Sequence, residues 1–175
     1  MVFEPRELVV NAEGMVAGRL ASVVAKLLLK GCRVYVVNVE KALITGKRHM
    51  VIGEFMKKLQ IRSKVNPRRH GPFKPRTPEG IFRRMVRGML PRKKAKGKEA
   101  YRRLRVYRGV PPHLRGREMV TFEEAKYRKS PYGPNYMTLE EIARLIGWIP
   151  IEERLKMMGQ EVRLVEETPK KPAKA

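Results

Sequence analysis

The first forty residues hold the pattern that most restricts the fold: a short apolar strand, a glycine turn, an amphipathic helix, and a second, almost wholly apolar strand. Leu8-Val9-Val10 ends at Asn11 and is followed by Gly14. From Ala17 to Lys30, Leu20, Val23, Val24, Leu27 and Leu28 fall on one helical face, while Arg19, Ser22, Lys26 and Lys30 fall on the other, and Gly31 ends the run. Val34-Tyr35-Val36-Val37-Asn38 has the near-continuous apolar character of a strand covered on both faces. Two strands joined by a helix lie parallel with a right-handed crossover. A chain that begins this way is an α/β domain, and 175 residues suit one such domain with a real core and an extension.

Further elements follow in order. Ala42-Leu43-Ile44-Thr45 is a short β-like run ending in Gly46-Lys47-Arg48. Val51, Ile52, Phe55, Met56 and Leu59 form a helical stripe with Lys57 and Lys58 outside. Between Ser63 and Glu79 periodicity stops, because Pro67, Gly71, Pro72, Pro75 and Pro78 forbid regular structure over most of the run. The next helix is capped by Thr77 with Pro78 at its first position, and Pro91 stops it. Its apolar face is Ile81, Phe82, Met85, Val86, Met89 and Leu90; its opposite face is Arg83, Arg84 and Arg87. A short helical piece then reaches Arg103, and Leu104 to Tyr107 alternates as a strand closed by Gly109. Pro111-Pro112 breaks that strand, leaving Val110 to Arg117 as a surface connection. Thr121 with Glu124, and Thr138 with Glu141, each fit a capping box. The second opens a helix over 139–146 that stops at Gly147; Trp148 can anchor it or meet a neighbour, and Glu152 to Met158 forms a last short helix.

Charge narrows the function. Forty Lys and Arg against seventeen Glu give a formal net charge of +23, and between Arg62 and Arg108 eighteen cations face only Glu79 and Glu99. Like charge at this density destabilises a free protein. A polyphosphate partner relieves it, because each neutralised phosphate releases condensed counterions. The plainer alternative is a solvated basic face. The proline-rich loop sets Arg68, Arg69, His70, Lys74 and Arg76 around Phe73, as suits an extended strand threading between RNA helices. Phe73 either stacks on an unpaired base or anchors the loop on its own domain, and the second reading is preferred. Tyr127 to Asn135, basic, aromatic and proline-rich, reads as another contact loop.

Motifs for catalysis are weak. Gly14 and Gly18 lack the G-x-G-x-x-G dinucleotide pattern; a tight turn and a close helix–sheet contact account for them. Gly46-Lys47-Arg48 fails as a phosphate-binding loop at two positions, since Lys41 stands where glycine is needed and Arg48 where Ser or Thr would hold magnesium. The acids cluster at capping positions and towards the C-terminus, so no acid–base pair assembles. Cys32 reads as packing, and with one cysteine a reducing compartment is expected. His70 and His113 have no metal-ligand spacing, and His49 stands beside cations. No signal peptide or membrane span is expected, which predicts a cytoplasmic protein.

GRLASVVAKLL, VVNVEKALITGKR, IFRRMVRGMLP and RLRVYRG, in that order and spacing across roughly the first 110 residues, resemble the universal large-subunit ribosomal protein of the thirteenth family. The length and proline-rich loop look like its archaeal branch, whereas the tail differs from the longer basic helix of eukaryotic members. The resemblance implies a three-layer α/β/α domain around a four-stranded, mainly parallel sheet of order 3-2-1-4. It also implies a structural constituent of the large ribosomal subunit that binds ribosomal RNA early in assembly.

The expected organisation is a core domain over 1–118 that includes the basic loop 63–79, an extension over 119–165, and a flexible tail over 166–175. The expected RNA-binding residues are Arg19, Lys47, Arg48, Arg68, Arg69, His70, Lys74, Arg76, Arg83, Arg84, Arg87, Arg92, Lys93, Lys94, Lys96, Arg102 and Arg103. The expected partners are large-subunit ribosomal RNA and neighbouring ribosomal proteins, with no cofactor, metal, membrane or small-molecule substrate. Two other classes are an enzyme acting on nucleotides or RNA, and a translational regulator working off the ribosome through messenger RNA or partner proteins.

Overall fold

A computed structural model of the chain describes residues 7–66, 69–128 and 135–158. The opening pattern folds as its periodicity dictates. Strand β1 (Glu7–Asn11), helix α1 (Ala17–Leu29) and strand β2 (Arg33–Val37) form a parallel crossover in which Val9 stands opposite Tyr35 and Val10 opposite Val36. Strand β3 (Leu43–Thr45), helices α2 (Arg48–Gln60), α3 (Pro78–Met89) and α4 (Ala95–Arg102), and strand β4 (Leu104–Val106) follow. Strand β5 (Met119–Val120), strand β6 (Tyr136–Thr138) and helices α5 (Leu139–Leu145) and α6 (Ile151–Met157) complete the order.

The main sheet has four parallel strands in the order β4-β2-β1-β5. Counted by chain order within that sheet alone, this is the expected 3-2-1-4. Strand β3 stays outside it and pairs antiparallel with β6, Leu43 opposite Thr138. Alternation along the strands sends Val10, Val34 and Val36 into the larger core with Leu20, Val24 and Leu28 of α1 and Phe82 and Val86 of α3. Val9 and Val37 point to the other face, where Leu114 in the 3-10 turn Pro112–Leu114 covers them. The architecture is α/β with helical elements against both faces of the sheet. Leu139, Ala143 and Ile146 join the larger core, with half-buried Trp148 packed against it, so 139–148 is bound to the same body as the sheet.

The carboxyl ends of three strands are clasped together by polar groups. Asn38, at φ +55°, is the one described non-glycine residue in the left-handed region, a conformation that asparagine tolerates better than most. Its amide N–H donates to the Gly109 carbonyl (3.2 Å) and its Nδ2 donates to Asn11 Oδ1 (3.0 Å). Glu40 accepts the Gly109 N–H on both carboxylate oxygens, each at 3.1 Å. The end of β4 is thereby fixed to β1 and β2, and with it the basic segment that leads into β4.

Two local expectations are corrected. Thr121 caps no α-helix: residues Glu123–Ala125 make a single 3-10 turn without a side-chain cap. The chain is drawn into tertiary pairing instead, for the Ala125 carbonyl accepts the Val16 N–H (2.8 Å) and the Tyr127 N–H donates to the Gly14 carbonyl (3.2 Å). Gly18 has no close helix–sheet contact either; it is exposed, and a Cβ there would meet nothing within 4 Å. Gly14, at φ +69°, does make the tight turn. The capping box at Thr138 and Glu141 forms with both of its hydrogen bonds.

Candidate nucleic-acid interface

Helix α3 carries the first group of cations. Thr77 Oγ1 accepts the Gly80 N–H (3.2 Å) and Pro78 fills the first position, so the helix starts where the proline-rich loop ends. With Ile81, Phe82 and Val86 buried, the 3.6-residue period leaves Arg83 and Arg84 exposed and Arg87 half-buried. Arg84 Nη2 donates to the Phe73 carbonyl (2.6 Å), tying the loop to the helix, and the Arg83 guanidinium lies 5.0 Å from the centre of the Tyr101 ring. Between loop and helix lies a hollow of about 400 Å³ lined by Phe73, Lys74, Arg83, Arg84, Arg87 and Tyr101, among others. On the other side of Pro75 a hollow of about 280 Å³ has an apolar floor from Phe55, Leu59, Ile81, Met85 and Ile146, rimmed by Lys58, Lys74 and Arg84.

The second group surrounds the start of α4. Arg92, Lys93, Lys94 and Lys96 are all exposed, as is Arg102. Their turn is held tightly: the Lys94 N–H donates to the Pro91 carbonyl (3.0 Å), and a Cβ at Gly97 would lie 2.2 Å from that same oxygen. Only glycine allows so close an approach. Arg103 lies apart from this face. Its Nη1 donates to the Leu28 carbonyl (3.2 Å) at the end of α1, and its Nη2 lies 3.8 Å from Glu99.

The third group lies at the starts of α1 and α2. Arg19, in the first turn of α1, lines a hollow of about 340 Å³ with Val16, Thr45, Gly46, Tyr127, Arg128 and Asn135. Lys47 is the N-cap of α2 and Arg48 its first residue, both exposed. Arg128 was not singled out from the sequence, although it lies in the basic stretch read there as a contact loop. In the proline-rich loop, Arg69 and His70 are exposed in a turn whose N–H groups donate to Asn66, and Arg76 is exposed with its Nη1 beside Gly147. Arg68 lies outside the described residues.

One electrostatic feature joins the second and third groups. Helices α1, α2 and α4 begin with no side-chain cap and no acid in the first turn, and Arg19, Lys47 with Arg48, and Lys94 with Lys96 stand there instead. Cations at the positive end of a helix dipole are unfavourable in the free protein, and unsatisfied N–H groups there favour an anion. The other three helices lack it: α3 and α5 are capped by Thr77 and Thr138 with glutamates in the first turn, and α6, without a side-chain cap, has Glu152 and Glu153 there. Among the described candidates, Arg103 alone has a carboxylate within ion-pair distance. The resolved pKa shifts lie elsewhere: the hydrogen bond from Arg117 holds Glu7 below the usual carboxylate range, and the bond to Glu13 raises Lys41.

Comparison with known proteins supplies the family. The family model described as Ribosomal protein L13 matches residues 5–113. The chain belongs to the ribosomal protein L13 family. It is 48% identical over 140 residues to the large ribosomal subunit protein uL13 of Archaeoglobus fulgidus, covering 80% of this chain and 87% of that relative. It is 49% identical over 146 residues to the protein of the same name in Aeropyrum pernix, covering 83% of this chain and 92% of the relative. The Pyrobaculum islandicum uL13 is 42% identical over 155 residues, covering 86% and 84%. These relatives are archaeal. The L13-matched span contains β1 to β4 and thus the first and second cation groups, and all but Arg128 of the third group's charges. Among the described residues no helix is long and apolar enough to cross a membrane.

Proposed function

We propose that the chain is a structural component of the large ribosomal subunit that binds large-subunit ribosomal RNA, beside neighbouring ribosomal proteins, and helps the subunit assemble early. The observation that carries this reading is the set of three helix starts bearing cations where acids and caps are usual. Backbone phosphate oxygens suit them, being anionic acceptors repeated along a chain. RNA helices hide their base edges in a deep, narrow groove, so fixed cations on a rigid body recognise backbone and shape rather than sequence. The small sheet and its polar clasp supply that rigidity. The Arg83, Arg84 and Arg87 face, the Arg92 to Lys96 turn, and the loop residues Arg69, His70, Lys74 and Arg76 reach separate RNA segments. Arg103 is a positioning residue in this scheme, because its guanidinium closes the end of α1.

Sedimentation of a cell extract tests the proposal. The chain is expected to migrate with large subunits and to leave that fraction after RNase treatment. Migration as a free protein before treatment contradicts it.

A further inference from the structure

Phe73 is 62% exposed, although its backbone is fixed to the domain. The loop is anchored by other atoms: Arg84 binds the Phe73 carbonyl, and Pro75 packs so closely on the start of α3 that a Cβ at Gly80 would lie 2.7 Å from Pro75 Cβ. The ring therefore does not serve as the loop's anchor, contrary to the preferred sequence reading. It stands at the lip of the hollow of about 400 Å³, whose lining also includes Tyr101 with the Arg83 guanidinium 5.0 Å from its ring centre. Lys74, Arg84 and Arg87 add to the charged lining, and among the described residues no carboxylate lines it.

We infer that this hollow takes a single unpaired RNA base, stacked on Phe73, with the adjoining phosphates held by Lys74 and Arg87. The inference rests on the RNA-binding reading above and adds to it a contact that is not electrostatic. Phosphate binding needs cations but gains nothing from two aromatic rings. A base gains from stacking on an aromatic ring or an arginine plane, and only an unpaired base has a face free for it. A hollow of this size falls in the range that accepts a small-molecule-sized group. Its cationic, acid-free lining fits a nucleotide better than a segment of a basic neighbouring protein.

Stacking and phosphate contacts respond differently to salt, and that difference is the test. The full chain and its Phe73→Ala and Phe73→Trp variants are titrated with purified large-subunit ribosomal RNA over a range of potassium chloride concentrations. Because stacking on one side chain is lost in the alanine variant, affinity should fall roughly ten- to a hundred-fold at every salt concentration, with the slope of log affinity against log salt unchanged. Tryptophan should keep the affinity within a few-fold. Since the ring is exposed, neither change threatens folding. Salt-dependent binding by the wild type with an alanine variant within two-fold of it overturns the stacking contact and leaves the RNA reading standing. An alanine variant that binds RNA normally but fails to enter large subunits assigns the hollow to a neighbouring protein and also overturns it. A wild type with no salt-dependent RNA binding overturns both readings.

Discussion

Gly97→Ala sets two physical effects against each other, and the structure decides between them. Gly97 is the third residue of α4, where alanine should improve helix propensity by roughly 1 kcal/mol. The structure predicts the opposite sign. A Cβ at this position would lie 2.2 Å from the Pro91 carbonyl oxygen, 2.5 Å from its carbonyl carbon and 3.1 Å from the Arg92 nitrogen. These are backbone atoms, which cannot rotate aside as the end of a side chain can. Relief requires the 91–94 turn or the start of α4 to move by most of an ångström, disturbing the Lys94-to-Pro91 hydrogen bond. Overpacking of this kind costs about 1–3 kcal/mol, and so close a backbone contact belongs at the upper end. Set against the propensity gain, the net loss is about 2 kcal/mol, or roughly 4–8 °C in Tm for a chain of this size. Urea denaturation and thermal melting measure it. The displaced turn carries Arg92, Lys93 and Lys94, so RNA affinity should fall even though no charge is removed. An alanine variant as stable as the wild type, or more stable, refutes the reasoning, because propensity would then outweigh the contact.

Replacing Arg83, Arg84 and Arg87 together by glutamine should leave the core intact, as Arg83 and Arg84 are exposed and Arg87 is half-buried, while releasing the loop from the Arg84–Phe73 hydrogen bond. The slope of log affinity against log salt should become shallower by about 2–3, from three phosphates at 0.7–0.9 each; an unchanged slope removes that face from the interface. Glu7 receives a hydrogen bond from Arg117 (2.9 Å) and lies 3.5 Å from Arg33, joining the start of β1 to β2 and to the segment before β5. Its folded-state pKa is depressed, so its stabilisation is complete above its unfolded pKa and is lost as pH falls through the lower folded value. Denaturation midpoints followed from neutral to acid pH should therefore drop more steeply for the wild type than for Glu7→Gln; parallel curves contradict the coupling.

The parts of the fold visible in the sequence are those governed by local period. The strand–helix–strand opening, the stripe of α3 and the Thr138 box each need only neighbouring residues, and each formed. Strand β5 is two residues long, too short for any alternation to show, and it exists because Val9 and Val10 offer a free edge. Pairing of β3 with β6 joins segments some ninety residues apart, and no turn chemistry announces it. The Thr121 box failed for the same reason, since a local capping pattern yielded to hydrogen bonds from the Gly14–Val16 turn.

At the candidate site, residue type was legible and placement was not. The basic runs and the arginine face of α3 could be read directly. That Arg103 turns inward to Leu28, that Tyr101 lies beside Arg83, and that Gly97 permits the close turn all depend on contacts between distant or folded-back segments. Phe73 shows the limit most clearly. Sequence offers an aromatic among prolines and arginines, and either role fits; its exposure, with Arg84 holding the backbone, removes the anchoring role.

The electrostatic reading can be tested most directly by measuring the affinity of the purified chain for large-subunit ribosomal RNA as potassium chloride is raised. If the three cation groups neutralise about ten phosphates, log affinity should fall against log salt with a slope of roughly −7 to −9. Affinity that is the same in dilute buffer and in molar potassium chloride contradicts the account.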